Sequence, residues 1–214
     1  QINPHENSRV NISLTLNITN RSSLKECEVS VYKNGSFVFG SNESNIYKVN
    51  EVTQCVLSVY QEYWREPGNY TVIANASSIG DQSDSITTIY YYNELIGELL
   101  STSQITFSGQ PGNSSLKAVE AYPMYINNSG NVMINLSLKG TDYQGVNDSN
   151  YTIPVNFSRY SLSQTGFTKL THNYSGLATG ITPGSGVDVY WLGDIPAGIM
   201  SQDYKSSITI RSEN

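Results

Sequence analysis

From Arg9 to Asn20 the chain alternates apolar and polar side chains without a fault: Val10, Ile12, Leu14, Leu16 and Ile18 against Asn11, Ser13, Thr15, Asn17 and Thr19. A strand points successive side chains to opposite faces, whereas a helix needs apolar residues every three or four positions. The stretch therefore reads as one long strand, apolar toward a core and polar toward solvent. Its polar face carries two N-glycosylation acceptors, Asn11-Ile12-Ser13 and Asn17-Ile18-Thr19, and a third, Asn20-Arg21-Ser22, closes it.

The same device recurs along the chain. Cys27 to Tyr32 and Ser36 to Phe39 flank Asn34-Gly35, the strongest short hairpin signal. Short strands are expected at Ile46 to Val49 and Gln54 to Tyr60. Pro67-Gly68 then turns into a strand opening on Tyr70, the placing of the tyrosine corner in immunoglobulin-like sandwiches. Ser85 to Tyr92 (SITTIYYY) completes a set of about seven strands. Asn93 to Ser103 breaks the alternation. Leu95, Ile96, Leu99 and Leu100 have helical spacing, but Gly97 weakens a helix, and a connector packed between two domains is expected.

A second series follows. Gln104 to Ser108, Ala118 to Ile126, Asn131 to Leu138, Thr152 to Phe157, Phe167 to Leu170, Val187 to Trp191 and Ser206 to Ile210 read as strands. Asn127-Asn128-Ser129-Gly130 reads as a hairpin-type turn. Val132, Ile134, Leu136 and Leu138 take the inner parity, as do Ile153, Val155 and Phe157, with Asn135 and Asn156 outward. The expected fold is all-β: two tandem immunoglobulin-like β-sandwich domains, 1–93 and 104–214, joined by a connector, 94–103.

Composition narrows the function. Of 214 residues 38% are hydrophobic and 11% aromatic, enough for packed cores, while only 14% are charged against about 25% in average soluble proteins. The net charge is −6 and the 12 Lys and Arg lie scattered, which disfavours nucleic acid or anionic lipid as a partner. No apolar run approaches the ~20 residues of a membrane span. The chain begins at Gln1 without a cleavable signal, so a mature exported protein is expected, an excised fragment of a longer one being the alternative. It lacks the apolar N-terminal helix through which type IV pilins and archaellins polymerise. Cys27 and Cys55 are the two cysteines, and in an exported protein one disulfide is expected, two buried thiols being the alternative.

Acceptor tripeptides start at Asn11, Asn17, Asn20, Asn34, Asn42, Asn69, Asn75, Asn113, Asn127, Asn135, Asn147, Asn150, Asn156 and Asn173, fourteen in all. The content of Asn, Ser and Thr would yield roughly five by chance. Asn11, Asn17, Asn69, Asn75, Asn135 and Asn156 fall on the polar parity of expected strands, and the others in turns. A densely N-glycosylated outer surface is expected.

Signatures of chemistry are missing: no Gly-x-Ser-x-Gly elbow, His-Glu-x-x-His, phosphate loop or dinucleotide fingerprint occurs. His5 and His172 stand far apart and leave the cysteines without metal-binding partners. Asp142, Asn147, Asp148 and Asn150 offer oxygen ligands without calcium-loop spacing, so a polar, sugar-bearing loop is expected there rather than a site. Asp188 and Asp194 read as solvation rather than an acid–base pair. Tyr90, Tyr91 and Tyr92 suit strand packing, with stacking on sugars as the alternative. No cofactor, metal or catalytic residue is expected.

On Cys55, the aromatic run and Pro67-Gly68-Asn69-Tyr70-Thr71-Val72, the first half resembles the immunoglobulin-like modules of archaeal cell-surface proteins. The second half resembles a companion module, on Tyr125-Ile126-Asn127-Asn128-Ser129-Gly130-Asn131, Lys139-Gly140-Thr141-Asp142, Val189-Tyr190-Trp191 and Ile195-Pro196-Ala197-Gly198. Ser201-Gln202-Asp203-Tyr204 stands where such modules show Ala-Gly-x-Tyr. The resemblance implies an envelope or filament component and carries no catalytic residue. The function expected is a structural, non-enzymatic glycoprotein of the cell exterior whose partner is itself, associating head to tail. The strand bearing Val10, Ile12, Leu14, Leu16 and Ile18 is the candidate for donation to a neighbour. The alternative is an adhesin or carbohydrate-binding module, with a secreted hydrolase a distant third.

Overall fold

The structure, a computed structural model, describes residues 1–5, 8–18, 24–42, 44–49, 52–78 and 83–214, except for the side chains of 17, 18, 44–49 and 52. It is all-β, with several antiparallel sheets and no α-helix among the described residues. The chain divides into two compact units, Gln1–Leu95 and Ile96–Asn214.

The first unit holds β1 (Arg9–Ile18), β2 (Leu24–Lys33), β3 (Ser36–Ser41), β4 (Ser44–Val49), β5 (Val52–Glu62), β6 (Gly68–Ser78) and β7 (Ser83–Tyr92). They form two sheets, ordered β1-β5-β4 and β3-β2-β6-β7. Period-two alternation explains the result: Cys27, Val29 and Val31 of β2, Cys55, Leu57 and Val59 of β5, and Tyr70, Val72 and Ala74 of β6 meet in one core. Each large apolar side chain there contributes about 1.5–3 kcal/mol by leaving water. Cys27 and Cys55 are bonded, so a covalent bolt joins the sheets through the core.

The opening strand β1 pairs along its full length with β5, from Arg9 opposite Glu62 to Ile18 opposite Thr53. Val10, Ile12, Leu14 and Leu16 pack half-buried on the core, while Asn11, Ser13 and Thr15 face solvent. The expected hairpin is present: Asn34 and Gly35 take φ of 50° and 78°, the left-handed pair of a tight β-turn, and join β2 to β3. Ahead of β1, Ile2 forms a parallel bridge to Tyr92, its N–H donating to the Tyr91 carbonyl while its own carbonyl accepts from the Asn93 N–H.

The second unit holds β8 (Glu98–Leu100), β9 (Leu116–Lys117), β10 (Met124–Asn128), β11 (Ile134–Gly140), β12 (Tyr143–Gly145), β13 (Thr152–Ile153), β14 (Ser158–Ser161), β15 (Thr168–Lys169), β16 (Ser175–Ile181), β17 (Gly186–Gly193), β18 (Tyr204–Lys205) and β19 (Ile208–Glu213). One sheet runs β15-β14-β17-β10-β8, with β9 also on β17; the others run β16-β11-β19 and β13-β12-β18. Trp191, fully buried, lies at the heart of the core with Met124, Ile126, Ile134, Leu136, Leu138 and Leu170. Tyr160 packs against it with ring centroids 5.9 Å apart. Phe107 lies so close over Gly193 that a Cβ there would meet the ring at 2.6 Å.

Several expectations for this half need correction. Asn127 to Gly130 does not close a hairpin, because β10 and β11 belong to different sheets. The chain instead turns a corner around the buried Asn128, whose Nδ2 donates to the carbonyls of Val132 and Ile181, each at 2.8 Å, while its Oδ1 accepts from the Gly130 N–H. Thr152 to Phe157 is no continuous strand: Pro154 lacks an N–H, β13 stops before it, and Val155–Phe157 form a 3-10 turn. Gln104 to Ser108 makes no ladder, since side chains satisfy its backbone: the Thr102 hydroxyl accepts from the Gln104 N–H, and a Glu120 carboxylate oxygen accepts from the Thr106 N–H. Tyr122-Pro123 is a cis bond, and β10 begins only after it. The final strand is Ile208–Glu213, later than expected. Within the expected connector, Glu98–Leu100 form β8, paired with β10, and Leu100 packs on the second core.

Candidate functional site

Among the described residues no group of three His, Cys, Asp or Glu side chains could hold a metal ion. Asp194, Asp142 and Asp148 make local structural contacts. Asp194 takes an ion pair from Arg159 at 2.7 Å and the Ser115 N–H at 2.7 Å, which ties the Ser115 turn to the end of β17. Asp188 lies exposed six residues back along the extended strand, roughly 20 Å away. His172 Nε2 meets Asp142 Oδ1 at 3.0 Å at the surface, and the same carboxylate oxygen accepts from the Val155 N–H. His5 belongs to the first unit and offers its carbonyl to Ser8. The Asn147 to Asn150 loop is organised by Gln202, whose Oε1 accepts from the N–H groups of Asn147 and Asp148, both at 2.9 Å. Asp148 Oδ1 in turn accepts from the Asn150 N–H.

The tyrosines divide by role. Tyr70 is buried and donates its hydroxyl to the Glu66 carbonyl at 2.7 Å, the corner its position announces. Tyr90 stacks on Tyr70 at 5.3 Å, and Tyr92 meets Tyr70 edge-on at 6.2 Å. Tyr90 donates to Gln61, itself fully buried. Burial pushes the Tyr70 and Tyr92 hydroxyls up to about 12 and raises Tyr90 and Tyr143 as well. Lys33 rests over the Tyr70 ring and bonds Glu66 at 2.7 Å, and that hydrogen bond holds the Glu66 carboxyl below its usual range. Of the three consecutive tyrosines only Tyr91 is exposed.

The surface is where the remaining sequence signals lie. Asn11, Asn34, Asn42, Asn69, Asn113, Asn135, Asn147, Asn150, Asn156 and Asn173 are exposed, with Asn156 in the 3-10 turn rather than a strand. Asn75 is half-buried, its Nδ2 donating to Glu28 at 2.8 Å. Asn127 is half-buried with its Oδ1 enclosed, and Ser129 of its tripeptide is 1% exposed. Asn20 and the side chains of Asn17 and Ile18 lie outside the described residues.

Two further features were not legible beforehand. The first is a groove of about 740 Å³ in the second unit, with Ile105, Phe107 and Ile208 on its walls and Gln202, Asp203 and Lys205 along it. It arises because Gln104 to Ser108 leaves the sheets, which strand periodicity could not show. The second is the edge of β7, where Ile86, Ile89 and Tyr91 are 56%, 65% and 40% exposed.

No family model and no curated protein matches the chain. Among solved structures it is similar to a chain from a chaperone–tip adhesin complex of CFA/I fimbriae biogenesis, at 13% identity and a TM-score of 0.36, over 98% of this chain and 76% of that one. A likeness this distant carries no argument about function. The bonded cysteine pair independently points to an oxidising compartment, at the cell surface or beyond it. No helix among the described residues is long and apolar enough to cross a membrane.

Proposed function

We propose that this chain is a structural subunit of an extracellular glycoprotein assembly, a surface filament, pilus-like thread or surface layer, whose copies associate head to tail. The observation behind the reading is β1. It is a ten-residue strand at the end of its sheet, with one side of its ladder free among the described residues and inward residues only half-buried. Such an edge invites a partner strand unless something blocks it. The strand completes its own sheet in the isolated chain. Donation to a neighbour's sheet is the variant of the same reading, since Val10, Ile12, Leu14 and Leu16 would bury as well there. N-glycans on the exposed acceptors would cover strand faces and turns and leave edges and ends for contact. No cofactor or reaction belongs to this role.

Electron microscopy of the purified glycoprotein tests it: filaments or sheets of regular repeat support the reading. A chain that stays monomeric at high concentration with its sugars in place sinks it. Deleting residues 1 to 20 separates the variants. A donated strand predicts loss of assembly; a retained strand predicts unfolding of the first unit alone. Intact mass tests the sugars, and a value near the bare 23.6 kDa would contradict them.

The second-unit groove supports a different reading, an adhesin or carbohydrate-binding module. Its apolar walls and neighbouring Asp203, Gln202 and Lys205 are the mixture that sugar rings and hydroxyls require. Glycan-array binding lost on Phe107→Ala would favour that reading over assembly.

A further inference from the structure

We propose that the free edge of β7 pairs antiparallel with the same edge of a second copy, about a two-fold axis through Thr87. β7 ends the sheet β3-β2-β6-β7, and among the described residues nothing pairs with its outward side from Ser83 to Ile89. Protected edges carry Lys, Pro, a bulge or a cover. Among the described residues none of these protects Ser85 to Ile89: the segment reads SITTI, without charge or proline, and the ladder of β7 with β6 is unbroken over ten pairs. It also lies in the stretch between Asn75 and Asn113, which contains no glycosylation acceptor. The acceptors next to it, Asn69 and Asn75, lie on β6 opposite Tyr91 and Ser85, where glycans would rise from the sheet face rather than across its edge.

The occupant follows from register. The Tyr91 carbonyl points outward, since it accepts from Ile2. By the alternation of an antiparallel ladder, Ile89, Thr87 and Ser85 also direct their N–H and C=O groups outward. A second β7 running the other way matches these groups only when odd residues face odd residues. Ile2 blocks the edge at Tyr91 and beyond, which confines pairing to Ser85 to Ile89. The register that fills that window sets Thr87 against Thr87, Ser85 against Ile89 and Ile86 against Thr88. All six outward groups of each strand find partners, and no charge faces another. The contact is about 17 Å long and about 10 Å deep, on the order of 200 Å² per partner, a quarter of the ~800 Å² of a stable dimer. It is therefore a lateral contact, weak singly and effective where many copies stand in array. The array rests on the end-to-end reading; the pairing itself does not.

Thr87→Cys tests it in the otherwise unaltered chain. Opposed residues of a hydrogen-bonded pair have Cα atoms about 5.5 Å apart, within disulfide reach, so oxidation of a concentrated solution should link two copies through residue 87. Ile86→Cys, with its symmetry mate about 8 Å away and beyond the ~7 Å limit, should give at least about tenfold less. Equal yields from the two variants, or no link at 87, would overturn the proposal. Thr87→Lys, exposed and tolerable in the single chain, sets like charges face to face and should abolish side-by-side association while circular dichroism stays unchanged; undiminished association would also overturn it. Linked dimers without end-to-end polymers would leave this contact standing and remove the filament reading. Polymers without the link would do the reverse.

Discussion

The two units solve the same problem with different materials. Among the described residues the first uses seven strands of six to eleven residues and a core of ten buried residues, with a disulfide through the middle. The second uses strands of two to eight residues, a core of fifteen buried residues around Trp191, and no covalent link. The second unit buries Asn128, Ser129, Asn131 and Ser158, and the Asn128 amide holds its corner, while among the described residues the first unit buries Gln61 and Ser78. Long ladders need little help to keep register. Short strands leave more backbone groups at their ends, and side chains must satisfy them.

That contrast breaks most sharply at Trp191. Trp191→Ala should cost the second unit about 3–5 kcal/mol and lower its melting transition, while the first unit's transition, followed by calorimetry, stays in place. Replacing Cys27 and Cys55 with Ala should do the converse: a bridge spanning 28 residues is worth about 3.5 kcal/mol in the unfolded-chain entropy account, all of it lost from the first unit. Asn128→Ala strips partners from two carbonyls and one N–H in a buried corner, and chemical denaturation should register a loss of about 2–3 kcal/mol. The smallest expected loss is Tyr70→Phe, about 1 kcal/mol for the corner hydrogen bond with the ring packing kept.

Alkali sharpens the same comparison. Folding raises the Tyr70 and Tyr92 hydroxyls from near 10 to about 12, so the folded first unit favours their neutral form. The stability linked to them is complete below about pH 10 and drains away as pH climbs toward 12. Tyrosinate absorbance and circular dichroism should therefore change together in that window. A simple titration near pH 10 with no loss of structure would contradict the buried cluster.

How much was legible in the sequence follows the same division. In the first unit alternation, Asn34-Gly35 and Pro67-Gly68-Asn69-Tyr70 marked strands, hairpin and corner, because each signal is local and tertiary packing agrees with it. In the second unit inner parity located Val132, Ile134, Leu136 and Leu138 correctly, but which strands pair was hidden. Asn128 looked like a turn residue, and only the fold shows that its amide reaches Ile181, 53 positions away. Pro154 was visible as a letter, yet the alternation around it outweighed its missing N–H. The acceptors were legible as tripeptides, but that Ser129 is buried while Asn147 and Asn150 stand on a loop held by Gln202 depends on contacts no window of sequence contains. The groove was invisible for the same reason.

The bridge between Ile2 and Tyr92 has a mechanical meaning. Because Ile2 and Asn93 share a hydrogen bond of 2.9 Å, the two ends of the segment 3–92 are held together. Tension applied between Ile2 and Asn93 would cross that junction first, with residues 3–92 beside the load path as a closed loop. Should the junction yield, the loop becomes reserve length. The Cys27–Cys55 bond then withholds 28 residue steps of it, about 95 Å of extension, as a hard stop inside a spring.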